Sequence, residues 1–150
     1  MKNILFVCTG NTCRSPMAAA LAKKMFERRG CKDVVVASCG IFAMENAKAS
    51  KNAVVALKEC HGIDILEHRA KMVDEAALSD AHIIITMTTG HKSHLCAGYP
   101  NFINKIYAMK DICDMGCEIE DPFGGDINIY KKCAGQIEQC IESLKWEEYL

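Results

Sequence analysis

The sequence ILFVCTGNTCRSP occupies residues 4–16 and places a strand, a loop and the start of a helix in immediate succession. Residues 4–7 are continuously apolar, which is typical of a short strand buried on both faces of a sheet. The next residues lack apolar periodicity and include Gly10 and Asn11, which favour a loop. Ser15 is predicted as the N-cap of the following helix and Pro16 as its first residue, because the first helical turn leaves its N–H groups unpaired anyway.

The rest of the chain continues to alternate strands with helices, without a repeat, low-complexity tract or linker. Further strands are predicted at residues 34–36, 83–85 and 103–107, and helices at 15–30, 50–62, 74–80 and from about 129. We expect an α/β fold: a single doubly wound domain over residues 1–150, with a four-stranded parallel sheet, helices on both faces and a phosphate-binding loop after the first strand. Ligands of such sheets bind beyond the carboxyl ends of the strands, where loops 8–14 and 121–125 are expected to lie.

Composition and charge argue against several classes of protein. Lys and Arg total 18 and Asp and Glu total 19, so a formal charge of −1 gives no support for a nucleic-acid or anionic-membrane partner. A run of four apolar residues precedes Cys8, which is too short for a signal peptide, and no later run is long enough to span a bilayer. We therefore expect a cytoplasmic protein, taken as a monomer.

The ten cysteines are expected to be reduced thiols. Many of them lie among small apolar residues, where a free cysteine acts as a buried hydrophobe, and no export signal indicates an oxidising compartment. Cys113 and Cys117 have no second pair at zinc-finger spacing, and Cys133 and Cys140 fit the core face of a helix. Neither a metal nor a cofactor is predicted.

The loop from Cys8 to Arg14 has the composition of an anion-binding site. Backbone N–H groups of a tight loop and of a helix start can converge on one point, and the Arg14 guanidinium can bind two phosphate oxygens at once. Gly10 and Asn11 supply the backbone freedom that such a loop needs. These surroundings are expected to lower the pKa of Cys8 from about 8.5 into the range of about 3.5–7.5 and to make it a nucleophile for phosphorus, with Ser15 donating its hydroxyl to the thiolate.

A purely structural role is the alternative for Cys8, because a cysteine that ends a buried strand can be core packing. Arg14 argues against this alternative. A basic residue at a helix N-terminus opposes the helix dipole unless an anion is bound there. The complete string Cys-x5-Arg-Ser-Pro therefore favours a phosphoryl site.

The motifs resemble those of the low-molecular-weight protein tyrosine phosphatases. The resemblance covers nearly the whole chain and is carried by residues 7–18 (VCTGNTCRSPMA), 38–40 (SCG), 68–70 (HRA) and 121–125 (DPFGG). It implies a small doubly wound fold, no metal and a phosphocysteine intermediate on Cys8. It also implies that the phosphoryl group is bound by Arg14 and the loop residues Thr9, Gly10, Asn11, Thr12, Cys13 and Ser15.

A general acid is needed to protonate the leaving group, and Asp121 is the candidate. From the residues alone, Asp121-Pro122 is an ordinary turn signal. The family resemblance implies that Asp121 protonates the leaving atom and later activates water, while Phe123 forms a wall of the pocket. It also places Asn11 and His68 behind the loop as hydrogen-bonding supports.

Cys13 is predicted to form a reversible disulfide with Cys8 that protects the nucleophile from over-oxidation, and a small buried residue is the alternative.

The phosphorylated side chain is predicted to be arginine, with tyrosine as the alternative. Tyrosine-directed members usually have Leu or Ile where this chain has Thr12, a second aromatic residue where it has Gly124, and Met-Asp where it has Met87-Thr88. The combination of CTGNTCRSPM at residues 8–17 with DPFGG at residues 121–125 resembles the bacterial protein-arginine-phosphatase branch. Thr12 offers a polar contact, and the loss of an aromatic wall weakens stacking on a phenyl ring. Thr12 can also be merely a tolerated small residue.

Two other functions are compatible with the loop. Arsenate reductases share it but need a pair of resolving cysteines, and residues 86–98 contain Cys96 alone. A phosphocarrier would accept phosphate on Cys8 without hydrolysis, and it would not need the acid Asp121.

Overall fold

The computed structural model describes residues 1–113 and 116–150 and contains a four-stranded sheet in which every strand pairing is parallel. The strands are β1 (Lys2–Cys8), β2 (Val34–Gly40), β3 (Ile83–Thr86) and β4 (Ile106–Ala108), arranged in the order β2-β1-β3-β4. The helices are α1 (Arg14–Arg28), α2 (Lys51–His61), α3 (Glu75–Asp80), α4 (Thr89–Gly98), α5 (Met109–Ile112) and α6 (Ile127–Ser143). Short 3-10 helices occupy Pro100–Lys105 and Trp146–Glu148.

Alternate residues of β1 face two separate hydrophobic clusters. Ile4, Phe6 and Cys8 pack with the apolar faces of α1, α2 and α6, whereas Leu5 and Val7 pack with α3 and α4 on the other side of the sheet. Because both faces of β1 are covered by helices, its uninterrupted apolar run is explained. The predicted doubly wound α/β fold is confirmed.

Local capping signals explain where several helices begin and end. The Ser50 side chain accepts a hydrogen bond from the Ala53 N–H at the start of α2, and Asp74 caps α3 in the same way. Gly62 ends α2 with a φ of 66°, in the left-handed region that favours glycine. On α6, Cys133 and Cys140 are buried on the core face as predicted, together with Ile137 and Ile141.

The structure corrects three sequence-based predictions. Helix α1 begins at Arg14 rather than after Ser15, because the Ser15 hydroxyl is engaged with the Cys8 sulfur instead of capping the helix. The predicted strand 103–107 begins only at Ile106, because Pro100 starts a 3-10 helix that extends to Lys105. Cys113 and Cys140 form a disulfide across a Cα–Cα distance of 5.3 Å, so the prediction of reduced cysteines is wrong for this pair.

Among residues 1–113 and 116–150, no helix is long and apolar enough to cross a membrane. The same residues contain no group of three or more His, Cys, Asp and Glu side chains that could hold a metal ion.

Candidate active site

Asn11 organises the loop between β1 and α1. Its φ of 57° lies in the left-handed region, which asparagine tolerates better than most residues. Its side-chain amide donates to Ser15 Oγ at 2.8 Å and to Ser38 Oγ at 2.9 Å, and its Oδ1 accepts from the Lys71 backbone N–H at 2.9 Å. His68 Nε2 lies 2.7 Å from the Asn11 carbonyl oxygen. Hydrogen bonds of Asn11 therefore connect the loop to Ser38, Lys71 and His68. The supporting role that the resemblance implies for Asn11 and His68 stays a prediction.

Gly40 allows the loop to lie against the end of β2. A Cβ on Gly40 would lie 2.4 Å from the Thr9 carbonyl oxygen and 3.0 Å from the Asn11 backbone nitrogen. Hydrogen bonds from the Ile41 and Phe42 backbone N–H groups to the carbonyls of Cys8 and Thr9, each 2.9 Å, hold this close approach. Gly10, in contrast, has neither a positive φ nor a backbone atom close to where a Cβ would be, so its predicted conformational role is not required here.

The Cys8 sulfur is buried at the base of the loop. The side chain is 3% exposed, and its Sγ lies 2.9 Å from Ser15 Oγ. Burial raises the pKa of the Cys8 thiol, and it outweighs the lowering effects of the Ser15 hydroxyl, the Ser15 and Asn11 backbone N–H groups and the Arg14 charge. The expected low pKa is therefore wrong for this geometry, although the predicted stabilising groups are present.

Arg14 connects the loop with the segment that carries Asp121. Its guanidinium is almost fully buried, and Nη1 donates to the Ile119 carbonyl oxygen at 2.9 Å. Nη2 donates to Thr9 Oγ1 at 3.4 Å and lies 3.7 Å from Asp121 Oδ2. The Asp121 side chain is half-exposed, and its Oδ1 accepts from the Phe123 backbone N–H. An entering phosphoryl group can therefore replace a carboxylate as the partner of Arg14.

These groups surround a cavity of about 270 Å³. Eight residues that the sequence analysis selected line it: Cys8, Thr9, Gly10, Thr12, Cys13, Arg14, Asp121 and Phe123. The side chains of Asn11, Ser15 and His68 support the loop instead of lining the cavity. Phe123 forms one wall but is 79% exposed, so the cavity is open to water on that side.

Cys13 is buried in the hydrophobic cluster that β1 forms with α1, α2 and α6. Its Sγ lies 3.4 Å from both Ser50 Oγ and the Tyr130 hydroxyl, which connects the loop to α2 and α6. Cys8 and Cys13 are both free thiols in this structure. The reversible disulfide between them stays a prediction.

Two residues near the site escaped the sequence analysis. His91 on α4 is buried, and its Nε2 lies 2.8 Å from Thr9 Oγ1. Glu118 accepts hydrogen bonds from the Thr89 N–H and hydroxyl, and so attaches the Asp121 segment to the start of α4. Partial burial of Glu118 acts to raise its pKa, but the Thr89 hydrogen bonds hold it below its ordinary value. The usable signal was the helix start at Thr88-Thr89, a segment that the sequence analysis considered only for substrate preference, through Met87-Thr88, and for resolving cysteines.

Comparison with known proteins identifies the family. The model described as "Low molecular weight phosphotyrosine protein phosphatase" matches residues 3–148. The chain belongs to the low molecular weight phosphotyrosine protein phosphatase family. The resemblance, the fold and the enzyme class deduced from the sequence are thereby confirmed: this is a family of hydrolases that act on phosphorylated protein residues.

Individual members of this phosphatase family match over almost their full length. A protein-arginine-phosphatase of Bacillus subtilis is 39% identical over 143 residues, covering 95% of this chain and 93% of the relative. A solved low molecular weight protein tyrosine phosphatase from T. tengcongensis is 39% identical, with a TM-score of 0.92 and complete coverage of both chains. A solved YwlE arginine phosphatase, a cysteine-to-serine mutant with a phosphorylated active-site serine, is 38% identical, with a TM-score of 0.88 and coverage of 94% and 91%.

Proposed function

We propose that this protein removes phosphate from phosphorylated arginine side chains of proteins through a phosphocysteine intermediate on Cys8. The observation that carries the proposal is the cavity in which a buried sulfur, a buried guanidinium and a half-exposed carboxylate face the same space. A nucleophile, an anion-binding group and a proton donor are the three components that phosphoryl transfer to cysteine requires.

In the first step, the Cys8 thiol gives its proton to water in the open cavity, the resulting thiolate attacks phosphorus, and the bond from phosphorus to the leaving atom breaks. Arg14 and the N–H groups of residues 9–15 bind the equatorial oxygens, where negative charge is concentrated in the transition state. The protonated Asp121 carboxyl transfers its proton to the leaving nitrogen, so that arginine departs with an intact, charged guanidinium. Protonation by a positioned acid contributes about 10²–10⁴-fold to such a step.

In the second step, water attacks phosphorus and the sulfur–phosphorus bond breaks. The Asp121 carboxylate, left without its proton by the first step, accepts one from the attacking water. The Ser15 hydroxyl, 2.9 Å from Cys8 Sγ, donates a hydrogen bond to the departing thiolate. The thiolate then regains a proton from water, so that inorganic phosphate and the resting enzyme are the products.

Pocket polarity supports arginine as the substrate residue. Thr12 brings a hydroxyl to the cavity lining, and Phe123 is the aromatic residue among the described lining residues. A basic, hydrogen-bonding guanidine gains more from a hydroxyl than a phenyl ring does, whereas a phenyl ring gains more from stacking. The B. subtilis relative that is named a protein-arginine-phosphatase supports the same assignment.

Initial rates on two peptides of identical sequence, one with phosphoarginine and one with phosphotyrosine, test the substrate, with Cys8→Ser as the blank. We expect the wild type to favour phosphoarginine. Thr12→Ile is expected to shift the rate ratio toward phosphotyrosine by about tenfold or more, the usual effect of one specific pocket contact. Thr12→Ser, which keeps the hydroxyl, is the matched control and is expected to retain the preference. An unchanged ratio in Thr12→Ile removes the reason for assigning arginine.

Phosphotyrosine is the second candidate, favoured by the T. tengcongensis tyrosine phosphatase that matches the whole chain. The peptide comparison decides between the two. Repeated turnover with release of inorganic phosphate distinguishes either phosphatase from a phosphocarrier, and thioredoxin-coupled arsenate turnover would instead support a reductase. The proposed setting is the cytoplasm, with phosphorylated proteins as partners, neither nucleic acid nor membrane, and a monomeric enzyme.

A further inference from the structure

His91 is a buried polar residue to which the catalytic scheme above assigns no role. It lies in the first turn of α4, and its backbone N–H donates to Thr88 Oγ1 at 3.1 Å. The side chain is 6% exposed, and its Nε2 lies 2.8 Å from Thr9 Oγ1 at the wall of the cavity. Its Nδ1 is buried and has no hydrogen-bond partner among the described residues. The side chain therefore makes one polar contact, and that contact is with a residue of the phosphate-binding loop.

The unpartnered Nδ1 indicates where the imidazole carries its proton. A neutral histidine has one N–H and one bare nitrogen. A buried N–H without an acceptor is rarer in proteins than an acceptor without a donor. The favoured tautomer therefore keeps Nδ1 bare and has the proton on Nε2. In that tautomer, Nε2–H donates to Thr9 Oγ1.

This donation determines what the Thr9 hydroxyl can do. The hydroxyl has two lone pairs and a single proton. One lone pair accepts from His91 at 2.8 Å, and the other accepts from Arg14 Nη2 at 3.4 Å. With both acceptor positions used, the Thr9 proton is left for a ligand in the cavity that Thr9, Cys8 and Arg14 line together.

We propose that the Thr9 hydroxyl donates a hydrogen bond to an oxygen of the substrate's phosphoryl group, and that His91 is the positioning residue that sets this polarity. The proposal rests on the proposed function, because it assigns a further donor to the same phosphoryl group. It adds a side-chain donor to the backbone N–H groups and the guanidinium. The opposite tautomer, in which Thr9 donates to His91, would leave the hydroxyl without a proton for the phosphoryl group.

The charged surroundings keep this arrangement in one protonation state. Arg14 and His94 disfavour a second proton on the imidazole, whereas Asp121 and Glu118 favour it. Burial, followed by the Arg14 charge, lowers the pKa of His91 from 6.5 to about 4. His91 is therefore neutral, with a single N–H to donate, at pH values above about 5.

A matched pair of Thr9 variants tests the proposed donor. Thr9→Ser keeps the hydroxyl, and Thr9→Val replaces it by a methyl group of similar size. Affinity for inorganic phosphate, measured by calorimetry, and kcat/KM on p-nitrophenyl phosphate are both expected to fall by about 10- to 100-fold in Thr9→Val, as for loss of a hydrogen bond to a charged group. Thr9→Ser is expected to stay within about threefold of the wild type. Loss in neither assay with Thr9→Val overturns the proposal.

A second pair, His91→Gln and His91→Leu, tests the positioning role. Gln retains an N–H that can donate, so it is expected to keep phosphate affinity, whereas Leu loses the donor and lowers that affinity. In the Thr9→Val background, His91→Leu is expected to cause no further loss, because both changes then remove the same interaction. Full additivity of the two losses contradicts the proposal, and thermal unfolding of each variant identifies losses that come from misfolding.

Nitrogen-15 NMR of the His91 imidazole shows directly which ring nitrogen carries the proton. Measurements of stability alone do not report this. The expected result is a proton on Nε2 and a bare Nδ1 at neutral pH. A proton on Nδ1 overturns the inference. Failure of the proposed function is recognised separately: the wild type would then bind phosphate yet hydrolyse neither p-nitrophenyl phosphate nor the phosphopeptides.

Discussion

Replacing Ser15 by alanine tests how the site stabilises a negative charge on Cys8. The Asn11 amide donates to Ser15 Oγ at 2.8 Å, so the hydroxyl proton is available to Cys8 Sγ at 2.9 Å or to the Cys39 carbonyl oxygen at 3.3 Å. With a Cys8 thiol, the sulfur can donate to Ser15 while Ser15 donates to Cys39. With a thiolate, the hydroxyl turns and donates to the sulfur. The hydroxyl therefore interacts favourably with both forms, but more strongly with the charged one.

The size of the effect follows from the difference between these two hydrogen bonds. A hydrogen bond to a charged group contributes about 1.5–3 kcal/mol, and one between neutral groups about 0.5–1.5 kcal/mol. The difference of about 1–1.5 kcal/mol favours the thiolate and corresponds to about one pKa unit. Burial already raises the pKa of Cys8, and the Ser15 hydroxyl is the largest of the effects that oppose it. Ser15→Ala is therefore expected to raise the pKa of Cys8 further and to lower the thiolate fraction at a given pH by about tenfold.

The assay is the rate of Cys8 alkylation by iodoacetamide as a function of pH. The midpoint is expected to move upward in Ser15→Ala, and the acidic limb of the kcat/KM profile is expected to move with it. Ser38→Ala is the matched control, because Ser38 Oγ accepts from the same Asn11 amide at 2.9 Å but lies one hydrogen bond further from the sulfur. A midpoint in Ser15→Ala that stays in place, moves downward or merely equals that of Ser38→Ala refutes the reasoning.

Three further predictions concern the acid, the second loop thiol and the buried histidine. Asp121→Asn is expected to lower kcat on phosphopeptides by about 10²–10⁴-fold but to have a much smaller effect on p-nitrophenyl phosphate, whose leaving group needs little protonation; equal losses on both would exclude Asp121 as the acid. After peroxide treatment, Cys13→Ser is expected to regain less activity with thiol than the wild type, and equal recovery contradicts a protective Cys8–Cys13 disulfide. Burial lowers the pKa of His91 from 6.5 to about 4 in the folded protein, so the neutral imidazole adds about 3 kcal/mol to the free energy of unfolding above about pH 6.5. This contribution is lost as the pH falls toward 4. Urea unfolding at several pH values is expected to show a flatter pH dependence in His91→Gln, and an unchanged slope contradicts this assignment.

Signals that act over a few residues were predictable from the sequence. The apolar run 4–7 indicated β1, Ser50 and Asp74 indicated helix starts, and Gly62 indicated a helix end. Each depends on contacts within about one helical turn or one strand, so the responsible residues lie close together in the chain. The composition of loop 8–14 likewise indicated an anion site between a strand and a helix.

Predictions failed where a distant contact outweighed a local preference. Ser15 does not cap α1 because its hydroxyl is engaged with the Cys8 sulfur. The pKa of Cys8 is raised rather than lowered because the sulfur is buried among helices from three parts of the chain, and the loss of hydration outweighs the loop dipoles. Cys113 and Cys140 are brought together across 27 residues of sequence, and no spacing rule anticipates that pairing.

The sequence by itself determined the parallel α/β fold and the phosphate-binding loop, and it indicated Cys8 and Arg14 as the candidate nucleophile and anion-binding group, because periodicity and short motifs encode such features locally. Only the tertiary structure decided which groups meet in the cavity. The 3.7 Å approach of Arg14 to Asp121 and the 2.8 Å contact of His91 with Thr9 join residues 107 and 82 positions apart. Such distances depend on how the segments at the carboxyl ends of the strands pack together. The order of residues in one sequence does not specify that packing.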